Sequence, residues 1–200
     1  MLESTGLACE RGGLRLFSDL AIAVAPGGLL RVRGANGSGK TTLLRTLAGL
    51  TRPAAGAVRW RGEPIGDEYR RAMLYIGHAP GVKDELTVLE NLEFAARLAD
   101  LQDANCKIAL QQLGIARLAD LPARYLSQGQ RRRAALARLA LSARVPLWLL
   151  DEPFAALDDE AVTGVSALCA AHLAAGGMVV LTSHQDVPIA CTASREIELR

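Results

Sequence analysis

Hydrophobic and polar positions divide the chain into a strand-rich opening, a helical middle and an alternating close. Leu14 to Val24 alternates loosely and ends at the turn signal Pro26-Gly27-Gly28. Leu29 to Arg33 predicts a short strand running straight into a glycine-rich loop. Thr41 to Leu50 then places Leu43, Leu44, Leu47 and Leu50 at helical spacing. From Pro53 to Tyr75 dense Gly and Pro, with Val58 to Arg61 among them, predict a second small β element.

The middle reads differently. Thr87-Val88-Leu89-Glu90 fits a capping box and opens a helix with Val88, Leu92, Ala95 and Ala99 on one side. Asp103 to Leu113 predicts a second helix, stopped by Gly114. These helices lie between two β-rich parts, which points to an inserted helical subdomain over roughly residues 81–125 of a single domain spanning 1–200. A helix from about Ser127 to Ala143, a buried strand at Leu147 to Leu150, a helix from about Glu160 to Ala175 and a strand at Met178 to Thr182 follow. Strand–helix alternation of this kind predicts an α/β fold with a mainly parallel sheet and an antiparallel β portion.

Composition narrows the function classes. Half of the 200 residues are hydrophobic and 22% are charged, as in a globular chain. No apolar run approaches the ~18 residues that a membrane helix needs. The opening MLESTGLACERGG has no basic stretch followed by an apolar one, so no secretion signal is expected. A net charge of +2 argues against a chain built mainly to hold nucleic acid. Cys9, Cys106, Cys169 and Cys191 show neither C-x-x-C nor paired Cys/His spacing, so zinc and disulfide frameworks are not signalled and reduced cytoplasmic thiols are expected. Only Lys40, Lys83 and Lys107 are lysines, which makes their placement informative.

Lys40 falls in Gly34-Ala35-Asn36-Gly37-Ser38-Gly39-Lys40-Thr41-Thr42, a match to G-x-x-x-x-G-K-[ST] with a strand before it and an apolar-periodic helix after it. Such glycines let successive N–H groups turn inward around a polyphosphate, and the helix N-terminus adds positive potential. Lys40 is expected to reach the β- and γ-phosphates of a nucleotide and Thr41 to sit on Mg²⁺. Leu147 to Leu150 ends in Asp151 and Glu152, acids at a strand carboxyl end where ligands bind. Asp151 can hold Mg²⁺ through its water shell, and Glu152 can polarise an attacking water. Alone, such acids are more often helix caps; the phosphate loop favours the catalytic reading. Leu126-Ser127-Gln128-Gly129-Gln130 opens a helix carrying Ala135, Leu136, Leu139 and Ala140 on one face, with Ser127 a good N-cap. Arg131-Arg132-Arg133 stands where the helix dipole disfavours cations. Either an anion bound nearby or arginines splayed into solvent relieves that conflict.

Taken in order, Gly34 to Thr42, Leu126 to Gln130, Leu147 to Glu152, Ala156-Leu157-Asp158 and His184 resemble the nucleotide-binding subunit of ABC transporters, over essentially the whole chain. LSQGQ is close to that family's LSGGQ signature. The resemblance implies a P-loop ATPase in which two copies sandwich two ATP molecules. Ser127 and Gly129 of one copy then face the γ-phosphate held by Lys40 of the other. Asp158 resembles the aspartate that communicates across that interface, and His184 the histidine that contacts the γ-phosphate. Two positions depart from the family. His78 stands where a glutamine is usual, in Ile76 to Lys83, and Arg11 stands where an aromatic residue usually stacks on adenine. Arginine can also lie flat on a base. The runs LxCERxxxxLFS, NGSGKTTLLRxLAGL and GHxPGxK are similar to the ATP-binding subunits of the haem exporter of bacterial cytochrome c maturation.

The resemblance implies integral membrane subunits as partners, peripheral attachment at the cytoplasmic face of the inner membrane, and ATP with Mg²⁺ as ligands. No C-x-x-C-H and no exposed His/Met pair is present, so direct haem binding is not expected. The nearest rival keeps the ATPase and changes the cargo to another small molecule. A DNA-repair or chromosome-structuring ATPase of this family needs a long coiled-coil insertion, for which 200 residues leave no room. A non-enzymatic regulator is expected to lack Glu152 or His184.

Overall fold

A computed structural model describes residues 1–101 and 104–199 of the chain. Its first part holds strands β1 (Leu2–Arg11), β2 (Leu14–Val24) and β3 (Gly28–Gly34), then helix α1 (Lys40–Leu47). Strands β4 (Ala55–Trp60) and β5 (Glu63–Pro64), helix α2 (Asp67–Arg71) and strand β6 (Met73–Ile76) follow. The middle contains α3 (Val88–Leu98), α4 (Cys106–Gln112) and single 3-10 turns at Ala116–Leu118 and Ala123–Tyr125. The close is α5 (Gln128–Leu141), β7 (Leu147–Asp151), α6 (Asp159–Ala174), β8 (Met178–Thr182) and β9 (Ala193–Leu199).

Two sheets result. One is antiparallel in the order β2-β1-β4-β5; the other is parallel in the order β6-β7-β8-β3-β9. Every residue of β7 and β8 is buried, because side chains that alternate along a strand enter two different cores. Leu147, Leu149 and Val180 face a core shared with α1 and the antiparallel sheet. Trp148, Leu150, Val179 and Leu181 face a second core shared with residues of α3, α4, α5 and α6. Register places Asp151 beside Thr182, Thr182 beside Val32, and Leu150 beside Ile76. The carboxyl ends of β3, β6, β7 and β8 therefore meet at one edge, where Gly34, Asp151 and Glu152 lie.

Several expectations need correction. The helix after the phosphate loop ends at Leu47, with Gly49 left-handed (φ 72°), so Leu50 is 55% exposed and off the buried stripe. In α3 the buried stripe is Val88, Leu92 and Ala96; Ala99 lies beyond the helix and is exposed. The Thr87–Glu90 capping box forms as expected. The predicted helix start at Asp103 lies outside the described residues; α4 is capped by Asn105, which accepts from the Ile108 N–H. Strands β1, β6 and β9 carry too little alternation to be read from sequence. β1 shifts register at three places, β6 has four residues, and β9 is an edge strand with Leu199 its single buried position.

The second core contains one titratable ring. His172 stacks on Trp148 with ring centroids 3.8 Å apart and planes 2° apart. The ring is buried, and neither nitrogen has a hydrogen-bond partner. Burial pushes its pKa below the usual 6.5, and backbone groups of Ala143, Pro146 and Met178 offset only part of this. The unfolded chain therefore takes up this proton first as pH falls. Stability is expected to be unaffected by His172 above about pH 6.5 and to decline below it until the lowered folded pKa is passed. Thermal melts from pH 7.5 to 5 test this: His172→Phe should show a shallower loss of Tm across that window than the wild type.

Candidate functional site

The phosphate loop is shaped by close backbone approach. A Cβ at Gly34 would come within 2.5 Å of both the Leu199 carbonyl oxygen and Ser38 Oγ, and Gly34 itself has φ 147°. A side chain there would displace the loop. Ala35, Asn36, Gly37 and Thr41 are exposed, whereas Ser38, Gly39 and Thr42 are half-buried. Gly39 packs against Leu16 and Phe17 of β2 and joins α1, whose Leu43 N–H donates to the Gly39 carbonyl. Lys40 is only 7% exposed, and its Nζ donates to the carbonyls of Gly34 (2.8 Å) and Ala35 (2.9 Å). An ammonium held at the mouth of a loop of N–H groups is suited to an anion of several charges.

Across the strand ends lies a connected set of polar groups. Asp151 is 1% exposed; its Oδ1 accepts from Thr182 Oγ1 at 2.8 Å. The same hydroxyl oxygen accepts the N–H of Glu152 at 2.8 Å. Glu152 has a left-handed backbone (φ 52°), a conformation that costs a non-glycine residue energy and must be held by its surroundings. Its Oε1 lies 3.0 Å from Nε2 of His184, in the segment after β8. That segment is tied to β3: Arg31 donates to the Val187 carbonyl, and Arg33 pairs with Asp186 at 2.8 Å while also pairing with Glu196 of β9 at 2.8 Å. Asp151 and Glu152, named as acids at a strand end, and His184, named through the family resemblance, are thus brought together.

Asp151 Oδ2 is buried without a hydrogen-bond partner, as is Ser38 Oγ in the loop. A buried, unpaired carboxylate oxygen is costly unless a cation or water meets it. The donor set therefore fits Mg²⁺ bound to substrate phosphates. No cluster of three or more His, Cys, Asp or Glu capable of holding a metal by protein ligands alone occurs among the described residues. That fits a magnesium ion, which keeps several waters and takes one or two protein ligands beside phosphates.

The helix α5 begins at this edge. Ser127 caps it in a capping box: Ser127 Oγ accepts the Gln130 N–H (3.3 Å) and Gln130 Oε1 accepts the Ser127 N–H (2.9 Å). The hydroxyl hydrogen of Ser127 remains available to donate. A Cβ at Gly129 would stand 2.5 Å from the Ala156 carbonyl oxygen, so glycine is needed where α5 meets the segment before α6. Asp158 caps α6 through the Ala161 N–H (3.0 Å) and accepts from Arg133 (2.5 Å). Arg131 pairs with Asp84 at 2.5 Å. Arg132 is 4% exposed and donates to the carbonyls of Asp151, Glu152, Gly77 and His78. Solvent is not what relieves the conflict in this arginine run: two of the three meet carboxylates and one meets four backbone carbonyls.

Sequence reasoning missed Arg132 and Thr182 as site residues. A signal existed for the first, since Arg132 falls three, four and seven positions before Ala135, Leu136 and Leu139 and so shares their buried stripe. Thr182 carried only the hint of a hydroxyl closing an otherwise apolar strand. The side chains of His78 and Arg11 stand apart from the connected groups, although the His78 carbonyl accepts from Arg132. The His78 side chain is exposed on the loop after β6, and Arg11 is exposed at the β1–β2 turn, opposite Leu14.

A phosphate-binding loop and an acid-bearing strand end, joined across a parallel sheet with an antiparallel sheet beside it, define an ATP-binding cassette. The family model for ABC transporters matches residues 17–155, and the chain belongs to that family. It is 52% identical over 195 residues to the cytochrome c biogenesis ATP-binding export protein CcmA of Aromatoleum aromaticum, covering 95% of this chain and 91% of the relative. It is 50% identical over 204 residues to CcmA of Dechloromonas aromatica, covering all of both chains. These relatives place the chain in the CcmA branch, as an ATP-binding subunit of an ABC transporter and an ATPase. Its fold is shared with a dimeric ATP-binding cassette solved in a post-hydrolysis state with ADP and phosphate (TM-score 0.80, 23% identity, 92% of this chain and 88% of that one).

Proposed function

We propose that this chain hydrolyses Mg-ATP between two copies of itself and thereby drives haem export for cytochrome c biogenesis through integral membrane subunits. The observation that carries the catalytic part is the continuous set Asp151–Thr182–Glu152–His184 at the ends of β7 and β8, with β8 paired to β3, which leads into the phosphate loop. The N–H groups of Gly34 to Thr42 and the ammonium of Lys40 bind the β- and γ-phosphates. Thr41 and Asp151 hold Mg²⁺, which when bound neutralises charge on the phosphate oxygens. Glu152 accepts the proton of the water that attacks the γ-phosphorus, as the bond to the β–γ bridging oxygen breaks and ADP leaves. His184 orients the carboxylate through the 3.0 Å contact and reaches toward the γ-phosphate. Ser127 and Gly129 of the second copy close the site, with the Ser127 hydroxyl hydrogen and the α5 N-terminus directed at the phosphate. Asp158 lies at that interface and is held by Arg133. Arg11 lies flat on the adenine.

The transport part rests on the CcmA relatives and on an open groove of about 910 Å³ between the sheet edge and the helical middle over residues 81–125. Lys83 over the Phe94 ring, with Leu98 73% exposed, gives this groove an apolar lip suited to a helix of a membrane subunit. His78, on the loop between groove and site, serves where the wider family has glutamine, since a neutral imidazole also both donates and accepts. No helix among the described residues is long and apolar enough to cross a membrane; the likeness to CcmA export proteins supports peripheral attachment at the cytoplasmic face of the inner membrane. A source strain lacking this chain tests the reading. Wild-type chain is expected to restore covalently haem-stained c-type cytochromes, and Glu152→Gln is not. Normal c-type cytochromes in the deletion strain would leave the ATPase standing and remove haem export.

A further inference from the structure

Arg132 is the most connected side chain at the site. From α5 its Nη2 donates to the carbonyls of Asp151 (2.5 Å) and Glu152 (2.8 Å), where β7 ends. Its Nη1 donates to the carbonyls of Gly77 (2.8 Å) and His78 (3.5 Å), in the loop after β6. One guanidinium therefore joins three segments that are distant in sequence. Its neighbours behave differently: Arg131 and Arg133 are spent on the carboxylates of Asp84 and Asp158. Burying a guanidinium is costly, and desolvation lowers the Arg132 pKa against the opposing pull of Asp151 and Glu152. A position that needed only helix packing is served more cheaply by an apolar residue, as at Ala135, Leu136 and Leu139 on the same stripe.

What the guanidinium holds is a strained residue. Glu152 has φ 52°, and both of its backbone polar groups are fixed: the N–H by the Thr182 side chain, and the carbonyl by Arg132 at 2.8 Å and by the Ala155 N–H at 3.1 Å. With both ends of the residue fixed, the direction of its side chain toward His184 is set. We propose that Arg132 is a positioning residue for Glu152, and that through the same guanidinium it locks the catalytic backbone to the Gly77-His78 loop. This rests on the reading of Glu152 as the base. Arg132 touches no substrate; it acts by where it keeps Glu152, and a displacement of about 1 Å at a reacting group costs about 10²-fold in rate.

The test is a double-mutant cycle on ATP hydrolysis by the full chain, with ATP binding measured separately using a fluorescent ATP analogue. Arg132→Ala is expected to lower kcat about 10–100-fold while changing KM for ATP less than about threefold. Arg132→Lys, which keeps a charge but lacks the planar fork, is expected to recover part of that loss. In single turnover, adding Arg132→Ala to Glu152→Gln should change the residual rate by less than about threefold, because two residues acting as one unit are not additive. Melting temperature and circular dichroism establish that each variant is folded; if Arg132→Ala is not, Arg132→Lys carries the same cycle. A folded variant with kcat within twofold of wild type would overturn the proposal, and so would an equal fold-loss in both backgrounds. Unimpaired hydrolysis by Glu152→Gln alone would remove the base assignment and this proposal together, and so is distinguishable from failure of Arg132 alone.

Discussion

Glu152→Gln is expected to lower ATP turnover by about 10²–10⁴-fold while leaving Mg-ATP bound, the range a positioned general base contributes. The substitution keeps the side chain's length and one carbonyl oxygen, so the contact with His184 Nε2, now 3.0 Å, survives in kind. The backbone at φ 52° is also unaffected, because Thr182 and Arg132 hold it through main-chain atoms. Only the capacity to take a proton is lost. In the proposed mechanism nucleotide affinity lies with Gly34 to Thr42, so binding and chemistry should separate. Steady-state hydrolysis and equilibrium binding on the same preparation check this.

The second large effect is at Lys40. Its Nζ, 7% exposed, donates to Gly34 and Ala35 and so both shapes the loop and presents a positive charge at its mouth. A charge-assisted hydrogen bond contributes about 1.5–3 kcal/mol, so Lys40→Ala is expected to weaken ATP binding by about 10–100-fold or more. Turnover falls with it. Ser127→Ala should behave differently: one copy still holds nucleotide on its own loop, so affinity is largely kept while turnover drops. The alanine also removes the α5 cap, which costs about 1 kcal/mol of stability, and Tm should register that loss. Equal loss of ATP affinity in both variants would contradict this division of roles.

Legibility in the sequence followed the distance between partners. The phosphate loop was readable because its glycines, Lys40 and Thr41 are consecutive and sit between an apolar strand and a periodic helix. The strands at Leu147 and Met178 were readable because burial on both faces makes them continuously apolar. Strand β9 was not, since an edge strand beside β3 needs one buried side chain and its other six positions are largely exposed. Thr182 becomes a site residue only through its register with Asp151, a pairing 31 residues apart. The arginine run shows the same limit. Its conflict with the helix dipole was visible, yet the groups that resolve it come from Asp84, Asp158 and the ends of β6 and β7, which only the fold assembles.

Two copies of the chain are expected to close around ATP. In a single chain Ser127 and Gly129 open α5, where Gly129 lies close against Ala156, whereas Lys40 sits at the start of α1. Sedimentation velocity of Glu152→Gln, which is expected to bind ATP and consume it only slowly, measures that closure. A shift from monomer with Mg-ADP to dimer with saturating Mg-ATP is the predicted result. A strict monomer at every ATP concentration would contradict it.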